Sequence, residues 1–380
     1  MREVLERLLA WWRAGETVAV ATVVDTWRSA PRPPGAAMLV GPDGTVVGSV
    51  SGGCVEADVY AVAETVLADG VPQLRRYGVS DADAGAVGLP CGGELEVFVE
   101  AVSPSTHPHL EVLAAAVADG RPVAVATVVE HPDAARVGRR LLVEGDGPPP
   151  PGGSLGSDRT DAAVTDDVRG LLASGHSGCL TYGPDGERLE TGMRVFAAVL
   201  AARPRMLVFG ASDFAAALAR VGGFLGYRVT VCDARGLFVT PSRFPDADEL
   251  LVAWPHRYLA TEAAAGRLDG RTVVCVLTHD PKFDVPLLEV ALRLPVGYVG
   301  AMGSRRNHED RLQRLREVGL TDAELTRLAS PIGLDLGART PEETAVSIAA
   351  EIVRRHWGGG GQPLSELDGR IHHDHPTCQN

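Results

Sequence analysis

Paired cysteines, long apolar runs and an excess of positive charge are all missing from this chain of 380 residues. The six cysteines stand singly without CxxC spacing, which argues against a zinc ribbon or a disulfide framework and favours reduced thiols. No apolar run approaches the roughly 20 residues of a membrane span, and the N-terminus does not resemble a secretory signal. The formal net charge of -13 argues against sequence-independent binding to nucleic acid. We therefore expect a cytoplasmic protein with no membrane or nucleic-acid partner.

The composition is that of a globular protein, with 45% hydrophobic and 22% charged residues. The length allows two or three domains, each with its own core. We predict two related units at residues 1–105 and 106–203, a third domain at 204–365, and a polar tail at 366–380.

An internal repeat is the most informative pattern in the first half of the chain. The letters VAVATVV at residues 18–24 recur unchanged at 123–129, an offset of 105 residues. Shorter matches lie at the same offset: Gly48-Ser49-Val50 with Gly153-Ser154-Leu155, and Tyr77-Gly78 with Tyr182-Gly183. Three matches at one offset predict two copies of one α/β unit. In each copy, strands lead to a helix that ends near Gly70 or Gly175.

The two copies differ at one loop. The first copy reads GSVSGGCVE at 48–56 and the second reads GSLGSDRTD at 153–161. Cys54 therefore aligns with Arg159, and the glycine pair is lost. Because the scaffold is present twice and this loop only once, we predict that only the first copy is active.

The Gly-Gly-Cys loop, Ser51-Gly52-Gly53-Cys54, stands just before a predicted helix that carries Glu56 in its first turn. Two glycines allow positive φ angles and a close approach of the backbone to a ligand. A cysteine at a helix N-terminus is favoured as thiolate, although the nearby Glu56 opposes that effect. We predict Cys54 as the reactive residue; the alternative is a small buried apolar side chain.

A second glycine-flanked cysteine, Cys91, precedes Gly92, Gly93 and a predicted strand at Glu94–Val99. Soft thiolates suit sulfur-loving metals and the carriage of persulfide sulfur. Cys91 is therefore a second candidate for the reactive site, with a purely structural role as the alternative. Three other cysteines stand in or beside apolar runs and are interpreted as core residues: Cys179, Cys232 and Cys275.

Short apolar strands alternate with helical segments throughout the second half of the chain. This alternation predicts a Rossmann-like, doubly wound parallel sheet. The predicted strands are Met206–Phe209, Arg228–Cys232, Glu249–Val252, Thr272–Leu277 and Val296–Val299. The fold class is therefore α/β, with a duplicated N-terminal α/β unit followed by the Rossmann-like domain. The tail carries His372, His373, His375 and Cys378, which resemble a cluster of metal ligands; we interpret them instead as a polar tail, and we predict no metal site.

The turn after the first Rossmann strand keeps only part of the dinucleotide-binding pattern. Gly210 occupies the first glycine position, but Ser212 replaces the middle glycine that lets the backbone approach a pyrophosphate. Asp233 follows at the end of the second strand, where a ribose-binding acid would stand. NAD(P) binding is therefore the lesser expectation, beside a plain strand–turn–helix or another nucleotide-like ligand.

Two further segments follow strands that end at the ligand-binding edge of such a sheet. His279 follows the fourth strand and is a candidate acid–base or hydrogen-bonding group, or a residue with no site role. Gly303, Ser304, Arg305 and Arg306 follow the fifth strand and open a predicted helix. Free amides and arginines there form a candidate anion cradle, and a glycine turn with solvated arginines is the alternative.

Five motifs together resemble the XdhC/CoxI family. They are GSVSGGCVE (48–56), PCGGELEVFVE (90–100), THDPKFDVPLL (278–288), YVGAMGSRRN (298–307) and PIGLDLGARTPEETAVSIAAEIV (331–353). The resemblance covers both ends of the chain in the expected order, and we expect the second copy to carry little of it. Family members often have a glycine and a histidine where this chain has Ser212 and Asp213, so the role of that histidine does not carry over.

The resemblance implies an accessory factor for molybdenum hydroxylases such as xanthine dehydrogenase and aerobic carbon monoxide dehydrogenase. Such factors bind molybdenum cofactor, favour its sulfurated form and deliver it to the apoenzyme. The implied ligand is molybdopterin or its cytosine dinucleotide form, and the implied partners are the hydroxylase apoenzyme and a cysteine desulfurase. This is a chaperone-like role with at most sulfur transfer, and an NAD(P)-dependent oxidoreductase is the alternative. An apolar Trp11-Trp12 helix predicts a homodimer, unless that face packs inside.

Overall fold

The computed structural model describes residues 1–28, 30–78, 93–145 and 153–368. These residues form two compact units, one ending at Ala202 and the other beginning at Arg203. Both sequence repeats lie in the first unit. The finer division into domains at 1–105 and 106–203 stays a prediction.

Apart from one short strand, Val46–Gly48, which has no counterpart strand among the described residues of the second repeat, the two repeats have the same order of elements. The first contains α1 (Arg2–Arg13), β1 (Val18–Trp27), β2 (Ala37–Val40), β3 (Val46–Gly48), α2 (Glu56–Asp69), β4 (Gln73–Tyr77) and β5 (Glu94–Val102). The second contains α3 (Leu110–Ala118), β6 (Val123–Glu130), β7 (Arg140–Glu144), α4 (Asp158–Ser174), β8 (Gly178–Tyr182) and β9 (Met193–Leu200). As predicted, Gly70 and Gly175 end α2 and α4 in the left-handed conformation that glycine adopts at little cost.

Each repeat builds an antiparallel sheet, and the described strands have the order β3-β2-β1-β5-β4 in the first and β7-β6-β9-β8 in the second. The strand register shifts at the same place in both long central strands, between Val23 and Asp25 in β1 and between Val128 and Glu130 in β6. The predicted duplication therefore extends to the detail of strand register.

The two sheets pack face to face, and their outer faces carry α2 and α4. Aromatic and β-branched side chains from equivalent positions meet between the sheets: Val24, Phe98, Val129 and Phe196. Helix α1 covers the edge of this core, where Trp11 is 9% exposed and the Trp12 indole donates to the His107 carbonyl at 3.1 Å. The Trp11-Trp12 face thus packs inside the unit, and the homodimer remains a prediction without that support.

A tight turn after β3 depends on Gly48. Its φ is +83°, and an added Cβ would clash with the Ala37 carbonyl oxygen and lie 2.6 Å from a Val4 methyl carbon. Gly48→Ala should therefore lower the free energy of unfolding by about 1–3 kcal/mol from the backbone conformation alone. Urea unfolding measures this change. Gly170→Ala, at an exposed position within α4 with open space around it, should instead stabilise by about 0.5–1 kcal/mol. Equal effects of the two changes would contradict this account.

The second unit is a parallel sheet with helices on both faces. It contains β10 (Arg205–Phe209), α5 (Asp213–Phe224), β11 (Arg228–Asp233), β12 (Glu249–Val252), α6 (Pro255–Ala264), β13 (Val273–Val276), α7 (Pro281–Ala291), β14 (Tyr298–Ala301), α8 (Arg305–Glu317), α9 (Asp322–Leu325), β15 (Leu328–Ala329) and α10 (Pro341–Trp357). The described strands have the order β12-β11-β10-β13-β14-β15, which is the Rossmann order. Helices α5 and α10 cover one face, and α6, α7 and α8 cover the other. The predicted fold class is confirmed. Within the described residues, no helix combines the length and apolar character that crossing a bilayer requires.

Candidate functional site

The Gly-Gly-Cys loop lies between β3 and α2 in a non-helical conformation. Gly52 has a φ of +82° and Gly53 a φ of +123°, both in the region that other residues rarely adopt. An added Cβ would meet no atom within 4 Å at either glycine. The backbone therefore requires glycine at both positions, and the space beside them is open to a ligand.

The carboxylate of Glu56, the first residue of α2, organises this segment. It accepts hydrogen bonds from five backbone amides and two hydroxyls, over distances of 2.6 to 3.2 Å. The donors are the amides of Val50, Ser51, Gly52, Gly53 and Val55 and the hydroxyls of Ser49 and Ser51. Because the amides of consecutive residues converge on one anion, the segment forms a nest around the carboxylate.

Ser51 connects Glu56 to the cysteine. Its side chain is buried; the hydroxyl donates to Glu56 at 2.6 Å and accepts from the Cys54 amide at 2.9 Å. The same hydroxyl accepts from the Val55 amide at 3.1 Å. The structure therefore places Ser51, a predicted cofactor-binding residue, inside the loop as an internal support.

Cys54 is half-buried and packs against the core beneath α2. The other predicted reactive residue, Cys91, and its neighbour Gly92 lie outside the described residues. Gly93 is buried and stands directly before β5. Cys232 and Cys275 are buried, as interpreted from the sequence, whereas Cys179 is half-buried between the two sheets, where its thiol donates to the Val24 carbonyl.

The second repeat shows what the same segment does without this loop. Helix α4 begins at Asp158, which aligns with Gly53, and Ser157 caps it by accepting from the Thr160 amide. Asp161 aligns with Glu56, and its carboxylate accepts from the Leu155 amide at 2.8 Å. The Gly-Gly-Cys loop of the first repeat therefore occupies the positions that form the first helical turn of α4 in the second repeat.

The donors around Glu56 make a pH dependence testable. Burial raises the pKa of this carboxyl, but the hydroxyls of Ser49 and Ser51 and the amides outweigh burial and lower it from 4.5 to about 2. An acid whose pKa is depressed by folding stabilises the fold above its unfolded pKa and loses that contribution as the pH falls through its folded pKa. The difference in unfolding free energy between wild type and Glu56→Gln should thus be constant above pH 4.5 and shrink as the pH falls from 4.5 to about 2. Urea unfolding over that range checks this, and a constant difference down to pH 2 would contradict it.

In the Rossmann unit, the backbone at position 210 requires glycine for a structural reason that is independent of any ligand. Its φ is +114°, and an added Cβ would lie 2.9 Å from the Leu277 carbonyl carbon and the Thr278 amide nitrogen. Ser212 caps α5, with its hydroxyl accepting from the Ala215 amide at 3.4 Å. The glycine therefore allows β10 and β13 to end side by side, and the serine hydroxyl occupies one of the free amides of the helix start.

Asp233 stands at the end of β11, as predicted, but it is 2% exposed and bound by its own chain. One oxygen accepts from the Ala211 amide at 2.8 Å, and the Arg235 guanidinium contacts both oxygens at 2.7 and 3.0 Å. Burial raises the pKa of the Asp233 carboxyl, but the Arg235 side chain and the backbone amides of Ala211 and Arg235 outweigh burial and lower it. The carboxylate is thus a charged, internally paired group.

The ends of β13 and β14 bring together the remaining predicted residues. His279 is exposed and lines a small cavity of about 140 Å³ with Asn307, Asp310 and a buried Asp284–Arg311 ion pair. Gly303 has a φ of +152°, and Ser304 caps α8 by accepting from the Asn307 amide at 3.2 Å. Arg305 and Arg306 are exposed at the start of α8 and form no ion pair with the described residues.

Sequence reasoning missed two features of the sites. The first is the carboxylate nest of Glu56; the signal available was that an acid is kept at both equivalent positions, as Glu56 and Asp161. The second is Arg311, which donates to the Met302 carbonyl at 2.7 Å and so fixes the turn before α8. Among the described residues, no group of three histidine, cysteine or acidic side chains could hold a metal ion. The tail histidines predicted to bind none lie outside those residues.

Comparisons with known proteins agree with this architecture. The model described as the XdhC Rossmann domain matches residues 206–352. The model of the XdhC and CoxI family matches twice, at 11–78 and 116–183. Both repeats therefore carry the family pattern, and the expectation that the second would carry little of it was wrong.

Two similar proteins and one solved structure match along most of their length. The chain is 27% identical over 343 residues to a protein of Bacillus subtilis named as a probable subunit of xanthine dehydrogenase, covering 89% of this chain and 93% of that protein. It is 27% identical over 345 residues to PaoD of Escherichia coli, named a molybdenum cofactor insertion chaperone, covering 90% and 85%. A crystal structure from Bacillus halodurans, described as a xanthine dehydrogenase, shares the fold with a TM-score of 0.69 at 23% identity, covering 96% of this chain and 97% of that one. With family matches in both units, this chain belongs to the XdhC and CoxI family.

Proposed function

We propose that this protein is an accessory factor that binds molybdenum cofactor as cargo and inserts it into a molybdenum hydroxylase. The observation that carries the proposal is the Gly-Gly-Cys loop, built in one repeat and replaced by a helical turn in the other. The likeness to PaoD along 90% of this chain supports the same role. The clients would be hydroxylases of the xanthine dehydrogenase or carbon monoxide dehydrogenase type.

The first unit offers a soft donor beside open backbone. Gly52 and Gly53 leave room for a ligand, and the half-buried thiol of Cys54 stands next to them. A thiol suits the molybdenum end of the cofactor, because thiolates prefer soft and sulfur-loving metals. The cofactor would supply the molybdenum that receives the sulfur ligand, whereas this chain would supply the thiol and hold the cargo while the sulfur is added. A cysteine desulfurase is the proposed sulfur source, and Cys91 is a second proposed thiol.

The Rossmann unit offers an anion site. The free amides at the start of α8 and the exposed Arg305 and Arg306 suit a phosphate, because helix N-termini and guanidinium groups bind such anions. This site would take the phosphate of molybdopterin or the pyrophosphate of its cytosine dinucleotide form. His279 lies at the same edge of the sheet and is proposed as a hydrogen-bonding group for the same ligand.

An NAD(P)-dependent oxidoreductase is the competing proposal, and the Rossmann strand order favours it. Two features argue against this activity. Ser212 occupies the position where glycine would let the backbone approach a pyrophosphate, and Asp233 is already paired with Arg235. Thermal-shift titration separates the two, because a ligand that binds only the folded state raises its unfolding temperature. A clear NADP response without any response to molybdenum cofactor would favour the oxidoreductase.

Delivery tests the proposed function. Purified protein loaded with cofactor would be mixed with a cofactor-free molybdenum hydroxylase, and the recovered activity would be followed over time. We expect faster recovery than with the same amount of free cofactor. Recovery no faster than with free cofactor would contradict the role in insertion.

A further inference from the structure

We propose that Glu56 is a positioning residue, which holds the Gly-Gly-Cys loop out of the helix and so fixes where the Cys54 thiol lies. The effect on cofactor delivery rests on the proposed function, but the effect on the thiol does not. No ligand is required for the arrangement, since the carboxylate of the chain itself sits at the centre of the nest.

The Glu56 carboxylate fixes the loop through several hydrogen bonds, each of them to a charged acceptor. A carboxylate accepts charge-assisted hydrogen bonds, which are stronger than bonds between neutral groups. One carboxylate oxygen of Glu56 accepts hydrogen bonds from the amides of Val50, Ser51 and Gly52, and the other accepts from those of Gly53 and Val55. Every amide from Val50 to Val55 except that of Cys54 therefore has the same carboxylate as acceptor.

The Cys54 amide is reached through one hydroxyl. It donates to Ser51 Oγ at 2.9 Å, and Ser51 Oγ donates to Glu56 Oε2 at 2.6 Å. Hydrogen bonds in such a chain polarise and strengthen one another. The backbone of the cysteine is thus tied to the carboxylate through a side chain that is itself buried.

The second repeat is a natural variant of the same segment. Asp161 is one methylene shorter than Glu56 and accepts from the Leu155 amide, the counterpart of Val50. In the second repeat helix α4 already begins at Asp158, and the side chain of Arg159, which aligns with Cys54, is 66% exposed. Where the longer carboxylate and the glycine pair are absent, the same segment is therefore helical, and the residue aligned with Cys54 is exposed.

Glu56→Gln tests the inference in the full-length protein. The amide side chain has one acceptor oxygen and no charge, so most of the contacts to the loop are lost. We expect the rate of Cys54 alkylation by iodoacetamide, located by peptide mass spectrometry, to rise about tenfold or more, since hydrogen bonds to a charged group are the ones removed. Cys179, half-buried between the sheets of the same unit, should react at its wild-type rate, which separates loop opening from unfolding.

Two further variants sharpen the test. Glu56→Asp keeps the charge but shortens the reach, and it should raise Cys54 alkylation as Glu56→Gln does; wild-type behaviour would show that charge alone suffices and would overturn the inference. Asp161→Asn is the matched control in the second repeat and should leave Cys54 unchanged. If Glu56→Gln does not fold, Ser51→Ala removes only the relay hydroxyl and should give the same rise.

The outcomes separate this inference from the proposed function. Unchanged Cys54 alkylation in Glu56→Gln would overturn the positioning role, whatever happens to delivery. Faster alkylation in both Glu56→Gln and Glu56→Asp, the second of which keeps the negative charge near the thiol, together with lost delivery supports both proposals. Faster alkylation with undiminished delivery would support the positioning role and refute the part of Cys54 in handling the cofactor.

Discussion

Replacing Cys54 by serine is expected to lower the activation of a cofactor-free molybdenum hydroxylase roughly tenfold or more, the range seen when metal-site contacts are removed. Serine has nearly the shape of cysteine, so the contacts of Glu56 and Ser51 to the backbone are unaffected. The hydroxyl is a hard donor that stays protonated at neutral pH, whereas a thiol readily gives a soft thiolate. The measurement is the rate of hydroxylase activation by equal concentrations of wild-type and variant protein, both purified from cells that make the cofactor.

Cys179→Ser is the matched control for this change. Cys179 is also half-buried and in the first unit, and its thiol donates to the Val24 carbonyl, a bond that a serine hydroxyl can replace. Burial raises the pKa of the Cys179 thiol to about 11, so it stays protonated at neutral pH. The control should activate the hydroxylase as wild type does. Wild-type activation by Cys54→Ser itself would remove Cys54 from the proposed site.

Asp284→Ala should lower the free energy of unfolding of the Rossmann unit by about 3–5 kcal/mol, because it leaves the buried Arg311 guanidinium without its counter-ion. The two side chains are only 5% and 6% exposed, and they lie 3.2 Å apart. Arg311 also donates to the carbonyl of Met302, directly before Gly303 and the start of α8. The same change should therefore loosen the proposed anion site. Denaturant unfolding gives the stability, and hydrogen exchange of the amides at 303–306 reports the local effect.

An exposed ion pair in the same unit is the control. Asp322 pairs with Arg316 at 3.1 Å, but the side chains are 84% and 54% exposed. Water and ions screen such a pair, so Asp322→Ala should cost no more than about 1 kcal/mol. If Asp284→Ala cost no more than this control, the buried pair would not be the anchor of the β14–α8 turn.

Local sequence patterns predicted much of this fold. The offset of 105 residues between the repeats extends to the irregularities at Val23 and Val128, since register follows from the same alternation of side chains. The motif at 331–353 contains Thr340 and Glu343 at the Thr-x-x-Glu spacing of a capping box, and the two residues cap α10 reciprocally. The short strand β15 was not predicted, because two residues carry no periodic signal and its pairing with β14 is a tertiary contact.

The sites were less predictable, because their chemistry depends on partners that are chosen by the fold. Asp233 has the position of a ribose-binding acid, yet Arg235 and the Ala211 amide occupy it. The sequence position of Glu56 indicates an acid that disfavours a thiolate, whereas its carboxylate is the centre around which the loop is wrapped. Neither set of partners is visible in spacing alone, since each needs backbone amides that converge in three dimensions.

Direct binding is the simplest test of the proposal that the protein carries molybdenum cofactor. The full-length protein would be purified from cells that make the cofactor and analysed for bound molybdenum and for the fluorescence of the oxidised pterin, with Cys54→Ser prepared in parallel. We expect molybdenum and pterin in equal amounts with the wild type and much less of both with the variant. Wild-type protein that contains neither, from cells whose own hydroxylases are loaded, would contradict the account.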